Sequence, residues 1–261
     1  MPRDVVRDLL VFTVALTCIG TAWSLLTASG PVFTLLWINF GWHEGSALAA
    51  ERAAAFVMFV CAALLPAVYA RQTVACVVAA VVAGCWLALA AVAAALTESW
   101  QPWLIMPAQA ARFGACFALV LLAVNRWAAL ALIVLCSSAT FAAHGVEALL
   151  GRGLFIDFLI GGALRVGWQL PQATAAMMLF AIGVADLACA AALPAIARWR
   201  HRPRVALLVP GWMALWGLLT ALVRTLEFGA PGGPETLIRV ANGALPLTLL
   251  LVWMRRAPES Q

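Results

Sequence analysis

Four residues in one apolar stretch have the types and the spacing to do chemistry together. Ser137, Thr140, His144 and Glu147 fall at i, i+3, i+7 and i+10, which puts them on one face of a helix. An imidazole followed one turn later by a carboxylate can act as a proton donor or acceptor with the partner that orients it. The run that they close begins at Trp127 and is long enough to cross a bilayer. A polar stripe is costly in hydrocarbon unless it faces a bundle interior or a water-filled cavity. His144 and Glu147 are therefore candidate catalytic residues, and Asp186, an acid near the middle of a second apolar run, is a third. Two readings of Asp186 stand: a proton-carrying carboxylate, or a packed neutral one hydrogen-bonded to Ser137 or Ser138.

Ligand binding points to the arginines. Arg52, Arg112 and Arg239 each sit just inside the start of an apolar run, and Arg224 and Glu227 lie at the end of another. With Thr140 these are candidate substrate-binding residues, because guanidinium forks suit carboxylates, phosphates and sulfur oxyanions. The expected ligand is an anionic or lipid-like small molecule. The competing structural reading makes the same side chains interfacial anchors and interhelical salt bridges that reach toward water. Thr140-x3-His144-x2-Glu147 recurs 80 residues later as Thr220-x3-Arg224-x2-Glu227, a short repeat that suggests two parallel stripes around a shared cavity. No metal site is expected. There are three histidines, of which His43 lies in a loop and His201 among the arginines of the opposite side, and the paired Glu-x-x-His pattern of di-iron bundles is missing. The cofactor stays unassigned.

The elements that must position these groups follow from composition. The chain has 261 residues, 65% hydrophobic and 10% charged, with mean hydropathy +1.00, against roughly 25% charged in a soluble domain. It reads as an integral membrane protein whose first partner is the lipid bilayer. All 16 basic residues are Arg, so chemistry that needs a lysine, such as a Schiff base or a P-loop, is excluded. The net charge of +5 is assigned to cytoplasmic loops, with no nucleic-acid partner. The seven cysteines lie in apolar runs without a CxxC and read as packing residues.

Hydropathy and breakers predict an all-α, polytopic membrane helix bundle forming a single domain of about eight transmembrane helices, near 9–28, 51–70, 73–96, 107–124, 127–149, 173–197, 205–226 and 236–254. The first is expected to be retained rather than cleaved. Pro107 is expected to open the fourth helix, and Gly151–Pro171 to contain a short surface helix. Placing Arg198–Arg204 in the cytoplasm puts ten arginines there: Arg3, Arg7, Arg71, Arg126, Arg198, Arg200, Arg202, Arg204, Arg255 and Arg256. The N- and C-termini are then cytoplasmic, in a membrane of the bacterial inner type, and the candidate site opens outward.

Three short pieces, Arg112-Phe113-Gly114, Thr140-Phe141-x2-His144-Gly145 and Gly183-x2-Asp186-Leu187, resemble the DoxX-like membrane proteins over the middle third of the chain. That resemblance implies an α-helical bundle and, for some members, association with quinone-linked sulfur oxidation. Family members are typically four-helix units, from which eight spans depart. Three functions stay open: a redox-associated enzyme or subunit handling a quinone- or lipid-like substrate, a small-solute transporter, or a structural or assembly subunit of a membrane complex.

Overall fold

The computed structural model describes residues 4–69, 74–98, 100–199 and 204–255. The elements in order are α1 (Val5–Thr27), α2 (Pro31–Thr34), a π turn (Leu35–Asn39), α3 (Glu44–Tyr69), α4 (Val74–Thr97), α5 (Pro102–Ala108), α6 (Ala110–Leu122), α7 (Arg126–Leu149), α8 (Gly153–Arg165), α9 (Gln172–Arg198), α10 (Leu208–Phe228) and α11 (Gly233–Met254). Short 3-10 turns, Arg204–Leu207 and Ala230–Gly232, lead into α10 and α11. No strand occurs among the described residues. Eight segments are long and apolar enough to cross a membrane: α1, α3, α4, α5 with α6, α7, α9, and α10 and α11 with their leading turns. The protein is an all-α, multi-pass helix bundle. Arg3, Arg71, Arg200, His201, Arg202 and Arg256 lie outside the described residues.

Helix ends differ from the hydropathy windows where a cap or a proline decides. Asp4 accepts a hydrogen bond from the Val6 amide at 3.3 Å, so α1 starts at Val5, ahead of the apolar run. Asn125 accepts from the amides of Trp127 and Ala128 at 2.9 and 3.1 Å and caps α7, satisfying donors that the first turn leaves free. α3 starts at Glu44, about two turns before Glu51. The fourth span opens at Pro102, not at Pro107, which lies inside α5. A break at Gln109 then separates α5 from α6. Thr140 on α7 repairs that break: its hydroxyl accepts from the Ala111 amide at 2.9 Å and donates to the Pro107 carbonyl at 3.3 Å.

Small residues set how closely the helices pack, as expected where lipid removes most of the hydrophobic drive for helix association. A Cβ on Gly145 would meet the Gly183 carbonyl at 3.0 Å, and one on Gly183 would meet the Gly145 carbonyl at 2.9 Å. α7 and α9 therefore touch backbone to backbone. Gly217 does the same for α10 against α11, where its Cβ would meet the Asn242 carbonyl and the Gly243 nitrogen at 2.7 Å. α1 packs on α11 through Gly20. Its buried threonines, Thr13, Thr17 and Thr21, turn their hydroxyls back onto the carbonyls of Leu9, Thr13 and Thr17, so these hydroxyls are satisfied within the helix. By contrast α9 and α10 touch sparsely. Between these two tight pairs lies a seam, and α8 packs across it against both α9 and α10.

Candidate functional site

A cavity of about 140 Å³ occupies the space that this packing leaves among α7, α8, α9, α10 and α11. Its walls are mostly apolar, with the rings of Phe141, Phe155, Phe158 and Trp216 among them, and its polar lining comes from His144, Asp186, Thr220, Arg224, Arg239 and Asn242. Four of the sequence-derived candidates, His144, Asp186, Arg224 and Arg239, thus meet at one cavity although they come from four helices. Asn242 was not foreseen. A lone amide in the middle of the last apolar run was the only signal for it.

Glu147 organises the α7 side. It is 2% exposed; Oε2 lies 2.8 Å from His144 Nδ1, and Oε1 accepts from Arg152 at the head of α8. The Arg152 guanidinium stacks over Trp100 at 4.9 Å and over Phe155 at 5.6 Å, and Phe155 meets the His144 ring edge-on. The i, i+3 spacing brings histidine and carboxylate together as expected, but the cation that completes the group comes from the following helix. The matching stripe on α10 behaves alike. Thr220 and Arg224 line the cavity, while Glu227 turns to α8, where the missing side chain of Gly161 makes room for its carboxylate. Arg165 at the end of α8 donates to the Glu227 carbonyl at 2.6 Å. In both stripes the middle residue faces the cavity; Glu147 meets the start of α8 through its carboxylate, Glu227 the end of α8 through its backbone carbonyl.

Several polar atoms here are buried without a partner among the described residues: His144 Nε2, Asp186 Oδ1, Asn242 Oδ1, Arg112 Nε and Glu227 Oε2. Buried polar atoms in folded proteins are nearly all hydrogen-bonded, so each exception calls for a reason. Asp186 does not take up the serine hydroxyls: Ser137 Oγ and Ser138 Oγ are themselves unpartnered, and the side chain that reaches its carboxyl is Trp212. Arg239 is paired with Glu235, Nε to Oε2 at 3.2 Å. Arg224 has no ion pair among the described residues and lies over Phe158, its Cζ 3.8 Å from the ring centre. Arg112 lies close enough to Arg239 and Glu235 to feel both charges and reaches the Gln109 side chain at 3.4 Å, although it does not line the cavity.

Two candidates stand elsewhere. Thr140 spends its hydroxyl on the α5–α6 break. Arg52 donates to the Leu25 carbonyl, next to buried Glu51, whose oxygens accept from the amides of Gly30 and Phe33 at 2.9 Å. Together they clasp the turn between α1 and α2. Among the described residues no three His, Cys, Asp or Glu side chains gather as metal ligands would. Set against protein-family models, curated proteins and solved structures, the chain matches none.

Proposed function

We propose that this protein binds a membrane-dissolved amphiphile, a quinone- or lipid-like molecule, with its polar head in the α7–α11 cavity. The observation that carries this reading is the mismatch between wall and lining. Residues lining an apolar chamber carry three orphaned polar atoms, on His144, Asp186 and Asn242, and an arginine that packs on an aromatic ring with no ion pair among the described residues, so the missing partner is a ligand with a polar head and an apolar body. The His144–Glu147 pair is oriented for proton transfer at that head. Two of the three motif pieces that resemble DoxX-like proteins also fall around it, Thr140–Gly145 on α7 and Gly183–Leu187 on α9, whose two glycines touch. In this reading the protein sits in a bacterial-type inner membrane with both termini cytoplasmic and the α8 side outward, and turnover of a quinone is its enzymatic form.

The test is ligand retention. Protein is extracted into nanodiscs, and the bound small molecules are identified by native mass spectrometry. Wild type is expected to carry an amphiphile, and His144→Gln and Arg224→Gln to lose most of it. Arg126→Gln, at the far end of α7, is expected to keep it. Equal retention in all four proteins would make the cavity a packing gap.

A further inference from the structure

The orphaned atoms on the cavity-lining residues are of one kind, and this narrows the ligand. His144 Nδ1 faces Glu147 Oε2 at 2.8 Å, and a carboxylate only accepts, so the ring proton is on Nδ1. Arg152 already balances the Glu147 charge, which lets the ring stay neutral with Nε2 as an acceptor. Asp186 Oδ1 and Asn242 Oδ1 are acceptors too, on residues 3% and 5% exposed. Three unpartnered acceptor atoms thus belong to residues of α7, α9 and α11 that line one chamber. The nearby cations do not serve them: Arg239 is held by Glu235, Arg224 by the face of Phe158.

We infer that the head of the bound amphiphile is a single ring bearing two or more hydroxyl groups, so that it donates hydrogen bonds to His144 Nε2, Asp186 Oδ1 and Asn242 Oδ1. This rests on the amphiphile reading above and deepens it. A head made only of carbonyl or phosphodiester oxygens would set acceptor against acceptor and leave all three desolvated atoms unpaired. A hydroxyl donates to one of them, and its own oxygen still accepts from a guanidinium. The size fits one ring, since a cavity of about 150 Å³ takes up a benzene and this one measures about 140 Å³. Phe141, Phe155, Phe158 and Trp216 line it with aromatic carbon. Two sources carry this chemistry, a hydroquinone and the sugar of a glycolipid.

The experiment uses the full chain in phosphatidylcholine nanodiscs, purified without sugar detergents, and titrates two matched pairs by native mass spectrometry. One pair is a decyl benzoquinol and its benzoquinone under anaerobic conditions; the other is a monoglucosyl diacylglycerol and the parent diacylglycerol. The hydroxylated member of at least one pair is expected to bind ~10-fold or more tightly than its partner, the discrimination that a buried hydrogen-bonding site provides. Preference in the quinol pair assigns an aromatic head, and preference in the glucosyl pair a sugar. Asn242→Ala is expected to erase most of that preference; should this variant not fold, the wild-type pairs decide alone. Equal binding within both pairs would overturn the donor-head inference and leave the amphiphile reading standing. Binding of none of the four would overturn that reading itself.

Discussion

Glu147 serves two partners at once, and the balance of the site hangs on it. Its carboxylate fixes the His144 tautomer and anchors the start of α8 through the N-cap residue Arg152. Replacing it by Gln leaves a half-buried guanidinium without its counter-charge, so Glu147→Gln is expected to lower stability by about 2–4 kcal/mol, read as a drop in Tm in detergent. Glu235→Gln removes an i, i+4 pair whose acid is 42% exposed, and is expected to cost less than about 1 kcal/mol by the same measurement. A reversed order would mean that the α7–α8 group is not what holds this end. At this scale the sequence is readable where partners share a helix: His144 and Glu147 meet because three residues make nearly one turn. Arg152 was missed as a partner because the contact crosses a chain reversal. Asn242 was missed because a neutral amide in an apolar run carries no charge to mark it. The expected hydrogen bond from Ser137 or Ser138 to Asp186 does not form, since a shared layer of the bundle does not turn side chains toward one another.

Two helix pairs, α7 with α9 and α10 with α11, define the chamber by how tightly they close. Gly217 admits the α11 backbone at a distance no side chain tolerates. Gly217→Ala is therefore expected to push α10 off α11, to destabilise the protein by about 1–3 kcal/mol and to displace Arg224 and Asn242 enough to abolish amphiphile retention. Gly211→Ala is the matched control on the same helix, because its Cβ would meet only a Leu250 methyl at 4.0 Å and should be neutral in both assays. The α5–α6 break gives a third check. Thr140→Val keeps the shape but strands the Ala111 amide and the Pro107 carbonyl, for a loss of about 1–3 kcal/mol in thermal unfolding, whereas Thr140→Ser should retain most of the stability. Hydropathy windows located every span, because apolar length alone sets them. They missed the break at Gln109 and the early starts of α1 and α3, because capping hydrogen bonds and a threonine on a distant helix decide those ends.

For the molecule as a whole, eight crossings and the arginine bias make one topological prediction. Single cysteines at Gln72 and Glu98 in a cysteine-free variant are expected to react with impermeant thiol reagents from opposite sides, cytoplasmic for the first and external for the second; labelling of both from one side would break the proposed orientation. The seam between α9 and α10 has a further consequence. The two helices that flank it carry apolar side chains, such as Phe180, Val184, Leu215 and Leu219, that are exposed on the bundle's surface, where hydrocarbon rather than water is the neighbouring phase. A molecule admitted there is counted as a mole fraction of the bilayer and not as a molarity. Diluting a membrane suspension with buffer would leave occupancy unchanged, while adding inert carrier lipid would lower it, so the protein would report the composition of its membrane and be blind to the volume around it.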